Sequence, residues 1–323
     1  MADKSRGAAP AQTRGARNEA GFDLARALES IVSLQAMIPD DAFTAKVLGV
    51  KRAGSGVVIR ESGLILTIGY LITEAQEVWL TSADGRVVPG HALALDTRSG
   101  FGLVQALDRL DLPAMEIGSS SKSAPGDPVI VAAGGKRQFL RATIAGKQEF
   151  AGYWEYFLDE AIFTAPAHPF WGGAALIGAD GKLLGIGSLH VERVTEEGPQ
   201  DSNMIVPIDL LTPVLDALVA RGRPDGPARP WLGVYSAESE GKIVVAEVAE
   251  NGPAAIAGMR RGDVISAVRD ASIASLRDFY AEMWKSGPAG VEIPIEVVRG
   301  GRGHWLRVKS ADRASFLKKP RLH

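Results

Sequence analysis

Few residues in this chain have the types and spacing to do chemistry. Cysteine is absent, which removes thiol nucleophiles, disulfides and Cys-type zinc sites. Imidazole, the usual proton carrier near neutral pH, occurs five times, at His91, His168, His190, His304 and His323. His190 lies two residues after Ser188, and in a strand that spacing points both side chains to one face. A Ser188–His190 nucleophile–base pair is one interpretation, and two polar residues on a cleft wall or surface is the other. His168 lies four residues before Gly172. Asp159 and Glu160 are adjacent and cannot face each other as an acid–base pair, and Ser119-Ser120-Ser121 reads as a turn. No H-E-x-x-H, EF-hand or phosphate loop occurs, so neither a metal ion nor a cofactor is expected.

The elements that would position these residues are mostly strands. Short apolar runs, Ser55–Ile59, Leu64–Ile68, Glu77–Ser82, Arg86–Leu95, Gly102–Ala106, Pro128–Gly135, Ala174–Ala179 and Lys182–Leu189, alternate with Gly, Asp and Ser. That texture predicts an antiparallel barrel or sandwich between Gly54 and about Pro207. Asp84-Gly85 and Asp180-Gly181 each join two such runs, a strong hairpin signal in each half of the segment. Two small barrels packed side by side satisfy both. Leu24, Leu28, Ile31 and Val32 after Asp23 predict a short amphipathic helix over 22–37. A second helix is predicted from Pro207 to Arg221, closed by Gly222. Residues 231–310 then predict a compact α+β unit, with helices at 253–258 and 275–287 among five or so strands.

Length and composition agree. The chain has 323 residues, enough for two domains, with 46% hydrophobic and 23% charged residues. These values exclude a mainly disordered chain. The 36 Lys and Arg against 38 Asp and Glu leave a formal net charge of -2, so no general basic field exists to hold nucleic acid. No stretch of eighteen apolar residues is present to span a membrane.

The segment Gly252-Pro-Ala-Ala-Ile-Ala-Gly-Met-Arg-Arg-Gly-Asp-Val-Ile265 resembles a bacterial PDZ domain, and Trp231-Leu232-Gly233-Val234 resembles the carboxylate-binding loop of such a domain. The resemblance implies that consecutive backbone N–H groups there receive a peptide C-terminus, which adds a strand to the sheet edge. Phe279 and Met283, one helical turn apart, would line the pocket for its last side chain, or else are core. The order of barrel, helix and PDZ unit resembles the HtrA/DegP family of trypsin-fold serine proteases over about 43–310. Gly54-Ser-Gly-Val-Val-Ile59, Asp84-Gly85-Arg86, Leu112-Pro-Ala-Met-Glu-Ile-Gly118, Asp180-Gly181 and Ile205-Val-Pro-Ile208 carry it in order. The implied fold class is mainly β: a trypsin-like double β-barrel followed by an α+β PDZ domain. The implied organisation is a disordered tail at 1–20, the trypsin-like domain with its N-terminal helix at 21–222, a linker at 223–230, the PDZ domain at 231–311 and a solvated basic tail at 312–323.

The same resemblance makes the chemistry conspicuous by its substitutions. Where the family's T-x-x-H pattern places the base, the chain reads Thr67-Ile68-Gly69-Tyr70. Where the orienting carboxylate is expected it reads Ser99-Gly100-Phe101, and where the nucleophile is expected it reads Pro169-Phe170-Trp171-Gly172-Gly173. Tyr70, Gly100 and Gly172 thus stand at the positions of a degenerate triad. A phenol with a reference pKa of about 10 is no ready base at pH 7. Losing one triad member of a working protease costs about 10⁴–10⁶ in kcat. The expectation is a pseudoprotease: a scaffold or regulator that binds peptides or protein C-termini and associates with itself or with an active relative. The alternatives are a serine endopeptidase with a non-standard Ser188–His190 site and a protease-inactive chaperone. Tyr153, Trp154, Tyr156, Phe170 and Trp171 fall near the family's substrate cleft, where either the Trp and Tyr rings floor a ligand groove or Phe170 and Trp171 plug it. No export signal is visible, so a cytoplasmic location is expected, or the cell envelope if the true start lies upstream.

Overall fold

The computed structural model describes residues 21–135, 138–196 and 198–320. Two closed barrels come first. The N-terminal barrel comprises β1 (Ile31–Met37), β2 (Lys51–Arg60), β3 (Leu64–Ile68), β4 (Glu77–Thr81), β5 (Val87–Leu95) and β6 (Phe101–Ala106), in the order β1-β2-β3-β6-β5-β4. The second comprises β7 (Pro128–Ala133), β8 (Gln138–Gly152), β9 (Tyr156–Ala165), β10 (Ala175–Ile177), β11 (Leu183–Thr195) and β12 (Gly198–Pro207), in the order β10-β11-β12-β9-β8-β7. The Asp84-Gly85 and Asp180-Gly181 turns do join antiparallel pairs, β4 with β5 and β10 with β11. Each barrel fills with Val, Ile, Leu and Ala from alternate positions, and β3 is buried along its whole length.

The third unit is a sheet of β13 (Val234–Ser239), β14 (Lys242–Val248), β15 (Val264–Val268), β17 (Glu292–Arg299) and β18 (Arg302–Lys309), with β16 (Ala271–Ser272) paired to β15. The strand β13 lies at the sheet's edge. Its helices follow α1 (Leu24–Glu29), α2 (Ala45–Leu48) and α3 (Leu215–Arg221) of the barrel region as α4 (Pro253–Ile256) and α5 (Leu276–Lys285). Ser275 caps α5, accepting from Asp278 N, and Leu276, Phe279, Tyr280 and Met283 form its buried face. Asp263 and Arg299 form a two-pronged ion pair at 2.7 Å that ties β15's start to β17's end, and Arg299 also donates to Gly258 O.

Several expectations need correction. The helix predicted over 22–37 stops at Glu29, and β1 follows. Val32, Leu34 and Ala36 are buried and alternate with more exposed neighbours, so the period-2 pattern overrides the helical spacing of the first turns. The helix predicted from Pro207 is split into a 3-10 turn at Ile208–Leu210 and α3, because Pro213 lacks the N–H that would continue it. The segment from 312 to 320 is not a free solvated tail. It forms a 3-10 turn at Arg313–Phe316, Phe316 packs at a tilt against Trp231 with ring centres 4.8 Å apart, Lys318 N donates to Glu74 Oε1, and Lys318 Nζ pairs with Asp41. An aromatic contact and a buried carboxylate recruit it. The tail expectation for 1–20 lies outside the described residues.

Candidate functional site

The strand β3 ends in a 3-10 turn, Gly69–Leu71, that presents Tyr70 to the cleft between the barrels. The turn is fixed from beneath. Arg52, buried on β2, donates to Tyr70 O at 2.7 Å, to Thr73 O at 3.0 Å and to Thr44 Oγ1 at 2.8 Å. Glu74 accepts from Thr44 N and Oγ1 and from Phe43 N, so the cation and anion share a hydrogen-bonded cradle. Burial lowers the Arg52 pKa to about 10 against the opposing pull of Glu74.

Across the cleft, the loop 166–174 brings Gly172 to this phenol. A Cβ built on Gly172 would lie 2.9 Å from Tyr70 Oη. Tyr70 Oη donates to Ser188 O at 2.8 Å, and burial pushes its pKa well above the ordinary value. Gly69 N donates to Gly100 O at 2.7 Å, and a Cβ on Gly100 would lie 3.2 Å from Tyr156 Oη. Positions 70, 100 and 172 therefore converge on one cleft. Gly100 has φ of 84°, a left-handed value that a side chain of any kind would strain. Its neighbour Asp96 is buried, but that carboxylate is spent locally, accepting from Ser99 Oγ at 2.6 Å and from the N–H groups of Arg98 and Ser99.

The remaining polar groups are also committed. Phe170 N donates to His168 Nδ1 at 3.0 Å, which turns that N–H away from any oxyanion. Burial lowers the His168 pKa, and a ring that accepts at Nδ1 is the neutral form. His168 itself is held through its backbone by Asn203, which accepts from His168 N at 2.6 Å. Ser188 is buried, whereas His190 is more exposed, with its ring 5.4 Å from that of Trp171 and Nε2 3.6 Å from Asp201. A bulge lies between Gly187 and Leu189. No hydrogen bond joins Ser188 to His190 among the described residues. Among those residues, no group of three or more His, Asp or Glu is placed to hold a metal ion.

Tyr70, Phe101, Trp154, Tyr156 and Trp171 line a cavity of about 400 Å3 in the cleft. Trp154 and Tyr156 stack at 5.4 Å with their planes 12° apart. Of the two aromatics that could have plugged the cleft, Phe170 is 58% exposed and does not enter it. The side chain that fills the space beside position 172 is Tyr70.

The loop at 231–234 behaves differently. The N–H groups of Leu232, Gly233 and Val234 converge on one point, held open by the left-handed φ of 77° at Gly233. Trp231 does not contribute an N–H. Its backbone pairs with Ala311 in both directions, and its ring packs between Phe43 and Phe316. Phe279 and Met283 are fully buried in the core of this unit. The point of convergence holds the carboxylate of Glu155, from the turn between β8 and β9. Oε1 accepts from Gly233 N at 2.6 Å and Val234 N at 2.8 Å, and Oε2 accepts from Leu232 N at 3.0 Å. Burial raises the Glu155 pKa to about 7, against the opposing effect of these N–H groups and of Arg313. Nothing local in the sequence marks Glu155, because its partners lie 77 to 79 residues away.

Two closed barrels followed by a sheet with such an amide-lined loop define a trypsin-fold chain with an appended PDZ unit. The comparisons agree. The trypsin-like peptidase domain family matches residues 54–186, and the PDZ domain family matches 230–309. A probable periplasmic serine endoprotease DegP-like from Pseudomonas fulva is 27% identical over 270 residues, covering 79% of this chain and 55% of that protein. The serine endoprotease DegS of Salmonella typhimurium is 26% identical over 281 residues, covering 78% of this chain and 74% of that one. The chain thus spans about half the length of the DegP-like relatives it matches. The solved HtrA-type protease AlgW with tripeptide is similar in fold, with TM-score 0.53 and 23% identity over 92% of this chain and 97% of that one. The serine endoprotease from Yersinia pestis gives TM-score 0.53 at 22% identity, covering 93% and 99%. The chain is an HtrA-like protein, a trypsin-like domain followed by a PDZ domain.

Proposed function

We propose that this HtrA-like protein does not cleave peptides and works as a scaffold or regulator that binds protein C-termini through its PDZ domain. The observation that carries the first half is the cleft itself, where Tyr70, Gly100 and Gly172 meet and, among the described residues, no hydroxyl is hydrogen-bonded to an imidazole beside them. A serine hydrolase needs a nucleophile, a base to take its proton and donors to stabilise the oxyanion. Here the phenol donates its proton to a carbonyl, and the Phe170 N–H is spent on His168. The second half rests on three backbone N–H groups that converge on a carboxylate beside β13, the strand at the sheet's edge. Two relatives are named as periplasmic DegP-like and DegS endoproteases, which supports a place in the cell envelope.

The test is labelling by a fluorophosphonate probe together with casein hydrolysis, using protein purified from a host lacking HtrA-type proteases. No labelling above a heat-denatured control is expected. Labelling that disappears in Ser188→Ala would overturn the proposal in favour of a Ser188–His190 endopeptidase.

A further inference from the structure

The turn at the tip of β8 and β9 occupies the PDZ groove in the manner of a peptide. Four independent contacts make the match. The Glu155 carboxylate sits on the three N–H groups of the loop. Ser236 N, on the edge strand β13, donates to Tyr153 O at 2.9 Å, which is a strand-addition hydrogen bond. From the opposite wall, Tyr280 of α5 donates to Gly152 O at 2.6 Å and accepts from Glu155 N at 3.3 Å. Ala151 and Phe157, flanking the turn, pack against the core that Phe279 and Met283 belong to. The segment lies between β13 and α5 with a carboxyl group on the loop's N–H donors, so it meets the backbone and hydrogen-bonding requirements of a bound chain terminus.

Resting on the peptide-binding function proposed above, we propose that residues 152–155 are a resident internal ligand of the PDZ domain, and that a peptide carboxylate binds only by displacing Glu155. One set of three N–H donors cannot serve two carboxylates, so binding is competitive by geometry. The effective affinity for an external terminus is the intrinsic affinity multiplied by the fraction of molecules with the turn released. The displaced turn carries Trp154 and Tyr156, which also line the barrel cleft. A chain end captured by the PDZ domain therefore alters the wall of the neighbouring cleft. Glu155 itself has φ of 60°, a left-handed value for a residue with a side chain, so undocking also frees it to leave that conformation.

The test compares the full chain with Glu155→Ala and Glu155→Gln. Hydrogen exchange is read at 150–157 and 232–236. Fluorescence polarisation is read with an equimolar pool of labelled hexapeptides ending in free Leu, Val, Phe or Ala, and with the same pool amidated. Circular dichroism checks that each variant is folded. Glu155→Ala is expected to speed exchange in both segments at least tenfold while the barrel strands stay protected, and to bind the free-carboxylate pool at least tenfold more tightly than the unaltered chain. Glu155→Gln, which keeps the shape but drops the charge, should fall between the two and serves if the alanine variant fails to fold. Unchanged exchange overturns the resident-ligand proposal. Faster exchange with peptide binding equal in all three proteins overturns the competition. Faster exchange with no binding of either pool by any variant overturns the peptide-binding function and, with it, the competition, leaving the turn as a structural clasp between the domains.

Discussion

The space beside position 172 in the barrel cleft and the amide-lined point of the PDZ loop are both filled by the protein's own side chains, but they are filled in different senses. In the cleft, peptidase chemistry depends on side chains, and under the function proposed above Tyr70, Gly100 and Gly172 supply none of them. Tyr70 lies where a substituent on Gly172 would go, and Gly100 has a backbone conformation that resists one. In the PDZ loop, the chemistry depends on backbone N–H groups, and those remain in place under Glu155. Withdrawing one side chain exposes them. Donors supplied by the main chain can be covered reversibly by one side chain, whereas chemistry that needs three specific side chains cannot be supplied by uncovering backbone.

The largest expected effect breaks the reversible side. Glu155→Lys puts a cation against three inward-facing N–H groups, with Arg313 close enough to act on the same site electrostatically. The turn is expected to leave the groove, and the stability of the joined domains to drop by about 3 kcal/mol. Urea unfolding followed by tryptophan fluorescence measures it. Stability equal to that of the unaltered chain would mean that Glu155 holds nothing together.

The irreversible side is tested by Gly172→Ser. Its Cβ would approach Tyr70 Oη at 2.9 Å, against a ring fixed by Ser188 O and by the Arg52 cradle. Overpacking of this kind costs about 1–3 kcal/mol. In a Tyr70→Ala background, Gly172→Ser should cost much less, giving a coupling energy of opposite sign in a double-mutant cycle. Neither variant should label with fluorophosphonate. Additive effects would show that the two positions do not compete for the same space.

How far the sequence reveals each region follows from the same contrast. Barrel strands, hairpin turns and the PDZ segment around Gly252–Ile265 are local patterns, and they fall where alternation and turn chemistry put them. Tyr70, Gly100 and Gly172 are singled out only by the family motifs around them, and they lie about one cleft. Phe170 misleads, since an apolar residue beside a cleft looks like a plug until its 58% exposure is seen. The strand β8, with Lys147, Gln148 and Glu149 in its middle, has too weak an alternation to stand out. Glu155 is invisible for a deeper reason. A carboxylate at a hairpin tip is ordinary, and only the folded chain shows that Leu232, Gly233 and Val234 lie over it.

A smaller effect sharpens the reversible side through pH. Docking raises the Glu155 pKa from the usual 4.5 to about 7, because burial opposes the charged form more than the N–H groups and Arg313 favour it. The docked turn therefore holds a proton that the released turn gives up. Its stabilisation is complete below about pH 4.5 and declines as pH rises through 7. Tyr280 from α5 and Tyr235 from β13 also face this region, but burial pushes both phenols upward, so neither titrates in that window. Binding of the free-carboxylate peptide pool should strengthen about tenfold or more between pH 5 and 8, and Glu155→Gln should flatten the profile. A profile equally steep in the glutamine variant would assign the pH dependence elsewhere.

The smallest effect belongs to Tyr70→Phe. It removes one hydroxyl that donates to Ser188 O at 2.8 Å and leaves the ring in place. The ring still occupies the space beside position 172, so no new void opens there and no stability is lost through packing. What remains is the carbonyl's lost partner, about 1 kcal/mol by thermal or urea unfolding. The removed oxygen is also the atom nearest to a Cβ at position 172, so this variant should relieve part of the Gly172→Ser penalty. If Tyr70→Phe instead costs as much as Tyr70→Ala, the phenol oxygen rather than the ring is what closes the cleft, and the space beside Gly172 is held by a hydrogen bond that could in principle be broken, which would make the two regions alike.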